Sequence, residues 1–158
     1  MSTYLNQNQF AQTPVLGQVD MTVNPNIKPV RINPASVATV LKSGQAFKLI
    51  AGAANEILVD VAAITDRAYG VSVYNLKKNT YAAGDVVEIA CRDSVVYLES
   101  SAAISRGAKV QLDPTGPTIS TLTAGTNAAI GTALDQASAS GQLIRVEIYP
   151  EDINVSAY

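Results

Sequence analysis

The side chains that carry most protein chemistry are scarce in this sequence. There is no histidine, so the commonest general base and metal ligand is absent. Ser-His-Asp and Cys-His nucleophile arrangements are therefore impossible. Cys91 is the single cysteine. One thiol makes no intramolecular disulfide and cannot by itself hold zinc. Cys91 also stands in phase with Val87 and Ile89 in an alternating run, which is the place of a core residue, not of an activated nucleophile. Asp60, Asp66 and Asp113 are the acids a calcium ion would need, yet no DxDxDG loop joins them, and isolated acids of this kind cap turns. No P-loop and no GxGxxG occurs. The acids are scattered singly apart from Glu151-Asp152, so nothing signals a glycosidase pair. The expectation is no catalytic set, no metal site, no cofactor and no enzyme. The seven tyrosines read as strand-surface and interface residues, because each joins an apolar ring to a polar tip.

Bulk properties narrow the class further. The 158 residues suit one domain, or one domain with an arm. Charged residues make up 15% of the chain, against about 25% in an ordinary domain. Low charge weakens the repulsion that keeps surfaces apart, so it fits a surface covered by partners as well as a plain compact domain. The net charge is −2 and the only Lys-Lys pair is Lys77-Lys78, which leaves no basic stripe for a row of phosphates and argues against nucleic acid. Residues 1–19 carry no charged side chain, so the positive start of a signal peptide is missing. The uncharged stretch 114–134 is full of Thr, Ser, Gly, Pro and Asn and does not read as a membrane helix. These readings predict a soluble protein made in the cytoplasm.

The elements that must position these residues follow from punctuation and periodicity. Residues 1–36 begin rich in Asn and Gln, and Pro14, Pro25, Pro29 and Pro34 then exclude a long helix. Sparse apolar residues make this segment an extended arm, with Tyr4, Phe10, Val15, Leu16, Val30 and Ile32 as anchors for a neighbouring surface. The alternative is a terminus that pairs loosely with its own domain. Residues 37–149 are expected to form the folded domain and 150–158 a C-terminal tail. Within the domain, 86–91, 108–112 and 144–148 alternate as strands do, and 95–99 is a short β-prone run. Asp93-Ser94 supplies turn chemistry between the first two, which predicts a hairpin. Ser100 to Ser105 allows one or two turns of helix, capped by Ser100. The predicted fold is all-β, mainly short strands with one or two short helices, closed as a compact barrel-like domain.

An internal echo runs through that domain. GQAFKL (44–49), AYGVSV (68–73) and GDVVEI (84–89) are followed in the same order by GAKVQL (107–112), AIGTAL (129–134) and GQLIRVEI (141–148). The spacing predicts two pseudo-repeated three-strand units that bury their apolar faces together. Glycines that only mark turns remain the alternative.

The residues from about 30 to 148 resemble the decoration or cement proteins of tailed bacteriophage capsids, including the lambdoid head decoration proteins. The resemblance rests on VRINPAS (30–36), TDRAYGVSVYN (65–75), YAAGDVVEIACRDSVVYLES (81–100), AAISRGAKVQL (102–112) and AAIGTALDQASASGQLIRVEI (128–148). It implies a β-barrel-like domain on the outer capsid surface of a virion, with the major capsid protein and copies of itself as partners, and a homotrimer as the common assembly. The role it implies is a structural one: binding between capsomers and stabilising the shell. A receptor- or glycan-binding module, with an exposed aromatic cluster in a groove, is the alternative. A small barrel enzyme would need convergent carboxylates in a pocket.

Overall fold

The computed structural model describes residues 14–36, 41–52, 56–78, 80–113 and 117–152. Its strands are β1 (Ile27–Ile32), β2 (Leu41–Lys42), β3 (Ala46–Leu49), β4 (Leu58–Val61), β5 (Gly70–Ser72), β6 (Thr80–Tyr81), β7 (Val86–Cys91), β8 (Val95–Ser100), β9 (Lys109–Leu112), β10 (Thr118–Thr121), β11 (Ala129–Ala133) and β12 (Leu143–Ile148). Ten of them close into two five-stranded barrels, and β2 pairs with β6 alone. The first barrel runs β1-β4-β3-β5-β7 and the second β8-β10-β9-β11-β12, each closing on itself. The all-β expectation holds. Among the described residues there is no helix.

The echo in the sequence is a repeat of structure, and it is longer than the sequence shows. β3, β5 and β7 correspond to β9, β11 and β12, as the three pairs of motifs predict. β1 and β4 also correspond to β8 and β10. β1 runs antiparallel to β7 and parallel to β4, with Arg31 opposite Leu58. β8 runs antiparallel to β12 and parallel to β10, with Glu99 opposite Thr118. Loop hydrogen bonds repeat too. Gly44 N donates to Ser72 O at 2.9 Å, and Gly107 N to Ala133 O at 2.7 Å. Ala62 N donates to Ala46 O at 3.0 Å, and Leu122 N to Lys109 O at 2.9 Å.

One glycine in each barrel is fixed by contact. Gly70 lies on β5 against β7, where an added Cβ would stand 2.7 Å from the Ala90 carbonyl oxygen. Gly131 lies at the matching place on β11, against the Glu147 carbonyl of β12. Backbone cannot yield as a flexible side chain can, so both sites require glycine.

Alternation then sorts side chains between two cores. Val30 and Ile32 of β1, Phe47, Val59, Val87, Ile89 and Cys91 fill the first barrel. Each fully buried Val, Ile or Phe contributes roughly 1.5–3 kcal/mol. The opposite face of β3, β5 and β7 carries Ala46, Val71 and Ala90, which stand opposite one another in register. They are buried as well, because they join the cluster that holds the second barrel's Val96, Leu98, Ile130, Val146 and Ile148. Short side chains at these positions let the outer face of the first barrel join the second barrel's core.

Three local expectations resolve differently. Asp93, with φ of 72°, does make a turn, but β7 and β8 do not form a hairpin. Both edges of β7 are already taken by β1 and β5, so the turn passes the chain from one barrel to the other. Ser100 caps no helix: β8 runs through it, its N–H donates to Gln142 O and its hydroxyl to Ala139 O. Within the segment expected as an arm, residues 27–32 are β1, the strand that closes the first barrel. Pro29 is exposed there, at the position that Tyr97 holds in β8.

Gly70→Ala and Gly131→Ala are each expected to cost about 2 kcal/mol or more, through overpacking against backbone. Urea denaturation midpoints check this. Val86→Ala on the exposed face of β7 should stay within about 0.5 kcal/mol of the parent.

Candidate docking surface

Two features stand outside the barrels' own packing: a strap of chain across them and a cleft in the end of the first. The strap is residues 14–20. Its backbone bonds to the second barrel, with Gly17 N donating to Tyr97 O at 2.8 Å, Tyr97 N to Gln18 O at 2.9 Å and Asp20 N to Val95 O at 2.8 Å. It also bonds to the first half of the chain, where Tyr74 N donates to Gly17 O at 2.8 Å. Gly17 has a φ of +80°, and an added Cβ would stand 2.8 Å from Gly44 N and 2.9 Å from Ser43 Cβ. Left-handed backbone and close packing together make this position glycine. Val19 is buried in the shared core and Leu16 packs against it.

An ion cluster holds the far end of the strap. Arg145 of β12 grips Asp135 through two hydrogen bonds of 2.9 and 2.8 Å, and its guanidinium lies 3.5 Å from Asp20. The Arg145 hydrogen bonds hold the Asp135 carboxyl below its ordinary value. The Thr22 hydroxyl, then Arg145, do the same for Asp20 against an opposing cost of burial.

The expected anchors fall in different places. Tyr4 and Phe10 lie outside the described residues. Val15 is exposed, Leu16 packs on the chain's own core, and Val30 and Ile32 are inside the first barrel. Among the described anchors, Leu16 meets the turn at Gly44, whereas Val30 and Ile32 face the interior of the first barrel.

The cleft is a feature that motif reading did not find. It opens at one end of the first barrel, holds about 480 Å³, and is lined by Lys28, Arg67 and Arg92 together with Leu49, Tyr69 and Cys91. Lys28 is in phase with Val30 and Ile32, so it points along the barrel interior, and its Nζ donates to the Tyr69 hydroxyl at 3.3 Å. The Arg92 guanidinium sits 3.5 Å from the centroid of the Tyr149 ring, a cation–π contact. Cys91 forms part of the floor, and burial pushes its thiol up, which makes it a poor nucleophile. The cations lie far apart in sequence, so only the barrel's closure gathers them.

Two of the acids considered for calcium, Asp60 and Asp66, serve the loops. Asp60 accepts hydrogen bonds from Ser36 and Asn33, and Asp66 accepts from Lys48 and from Ala63 N. Among the described residues, no group of three His, Cys, Asp or Glu side chains is placed to hold a metal ion.

The model of a family described as phage cement protein matches residues 34–148. The crystal structure of the N base of head fiber gp8.5 of bacteriophage phi29 has a similar fold, with a TM-score of 0.55 at 14% sequence identity. The likeness covers 83% of this chain and 99% of that one. No curated protein matches the chain in sequence.

Two outcomes follow from the strap. Gly17→Ala is expected to destabilise the protein by about 2 kcal/mol, read as a lower thermal midpoint. The ion cluster sets an acid dependence. A carboxyl lowered from 3.8 in the folded state binds its proton more weakly than in the unfolded chain, so its stabilisation is present above that value and is lost as pH falls through the lower folded one. Asp135→Asn should cost about 1 kcal/mol at neutral pH, given partial solvent screening. Urea unfolding should show that gap narrowing progressively as pH falls below 3.8.

Proposed function

The chain belongs to the phage cement protein family, and from that premise we propose that it binds the outer surface of a phage capsid between capsomers and stabilises the shell. Its capsid-associated, structural character comes with the family. The finer reading is supported most by one observation, the family match over 34–148, which takes in every strand from β2 to β12. Both barrels therefore belong to the shared design, and neither is an unrelated addition.

The geometry is compatible with a module that works by contact. Two closed barrels, joined where the outer face of the first enters the core of the second, form one body, and rigid partners lose little conformational freedom on docking. The proposed partners are the major capsid protein and copies of this chain, with a homotrimer as the assembly. The proposed arm is confined to residues ahead of Pro14, because 14–20 are tied down as the strap. Tyr4 and Phe10 are its proposed anchors, and exposed Val15 continues them. Many weak contacts of this kind, repeated over a shell, add up through avidity. Binding the closed shell and not its dissociated parts stabilises the shell by mass action. No chemical step is needed, and none is proposed.

The test uses purified full-length protein and expanded capsids lacking it. Occupancy should saturate with added protein, and the temperature at which shells open should rise. Deleting residues 2–13, with the strap left in place, should lower occupancy at sub-saturating concentration by about tenfold or more. Unchanged occupancy after the deletion overturns the arm, and no binding by the parent overturns the capsid reading.

A further inference from the structure

The repeat makes an internal comparison possible. The registers fix which position of one barrel matches which of the other, since Val30 stands opposite Val87 as Leu98 stands opposite Ile144. Gly70 stands opposite Cys91 as Gly131 stands opposite Ile148. On that correspondence, the cleft's Lys28 matches Val96, Arg67 matches Ala128, Tyr69 matches Ile130 and Cys91 matches Ile148. All four residues of the second barrel are buried, at 0%, 4%, 1% and 0% exposure. Val96, Ile130 and Ile148 belong to the core shared with Ala62 and Ala68 of the first barrel. Ala128 N donates to Ile64 O at 3.0 Å across the same junction. This end of a barrel is thus where protein packs in the second copy. In the first copy the same end is open and cationic.

Resting on the capsid-associated reading, we infer that the open end of the first barrel, ringed by Lys28, Arg67 and Arg92, is a docking site for an acidic segment of a partner protein. Charge complementarity selects the occupant. Among the described residues the lining holds three cations and no acid, in a chain whose net charge is −2. Asp152 pairs with Arg67 at 3.8 Å but is 70% exposed, too wet to neutralise the cleft. The cleft's size and rim select a peptide over a bare anion. A volume of about 480 Å³ far exceeds one carboxylate or phosphate, and Leu49 (53% exposed) and Tyr149 (41% exposed) offer apolar contact beside the charges. Acidic side chains would pair with Arg67 and Arg92 while the peptide's carbon framework covers Leu49. Such a patch also steers encounter with an acidic partner and selects against basic ones.

The experiment uses the full-length chain, hexaglutamate and inorganic phosphate as probes, followed by expanded capsids. Amide NMR signals of Lys28, Tyr69 and Arg92 should shift saturably with hexaglutamate, and the effect should fade with salt. Arg67→Glu with Arg92→Glu should weaken hexaglutamate binding about tenfold or more. Both side chains are exposed, so the fold should survive, and the near-ultraviolet tyrosine signal checks it. Lys42→Glu with Lys77→Glu makes the same change in net charge elsewhere and should leave binding intact. On capsids, the Arg67 and Arg92 pair of changes should lower occupancy at a fixed concentration by a similar factor. Parent protein that binds capsids equally well with or without these changes overturns the docking site alone. Parent protein that binds no capsid overturns the reading it rests on. Phosphate that displaces hexaglutamate at equal concentration overturns the acidic protein segment as occupant.

Discussion

A sheet of five strands has two edges, and every unpaired edge carries backbone groups that must find partners or water. Both barrels meet this constraint in the same way. One strand of each, β1 or β8, pairs antiparallel along one side and parallel along the other, and so joins the two edges. The parallel contact is short, with two registered residue pairs in each barrel. It leaves the first half of the strand without a neighbour on that side. In β8 the strap from residues 17–20 fills the gap with backbone bonds to Val95 and Tyr97. The strap's glycine, its buried valine and its ion cluster all exist at this one place, so ring closure dictates how the chain's earlier residues are spent.

Duplication explains why a chain so poor in reactive side chains still has a differentiated surface. The two barrels have equivalent ends. In the second that end is apolar and joins the core shared with the first, while in the first it is cationic and open. The difference is one of side chains on a common backbone frame, since Gly70 and Gly131 impose the same close strand contact on both. Function can then reside in the contrast between copies.

Much of this was legible in the sequence, and the rest was hidden for physical reasons. The three repeated motifs kept their turn glycines and alternation, and they mark β3, β5 and β7 against β9, β11 and β12. β1 and β8 gave no such signal, because IKPVRI and VVYLES share only a pattern of inward apolar positions. β4 and β10 are four residues each, LVDV and TIST, too short for periodicity to speak. The β7–β8 turn was visible, but its topology was not, since a turn does not say which edges are free. Cys91 was readable as core from phase alone. The basic cleft was not, because Lys28, Arg67 and Arg92 come from separate elements. Laying one repeat on the other offers the missing signal: Arg67 against Ala128 and Tyr69 against Ile130 mark a surface where an interior should be.

Pro29 gives the strand geometry a consequence for solubility. Tyr97 offers its N–H to the strap, whereas proline at the equivalent place has none to offer. A foreign strand approaching β1 from that side meets a ladder with its donor removed. Proteins that crowd onto a repeating lattice meet their own edges often, and matching edges are the usual seed of sheet-like aggregates. One imino acid therefore weakens backbone pairing along this side of β1, and leaves side chains the larger share in any association there.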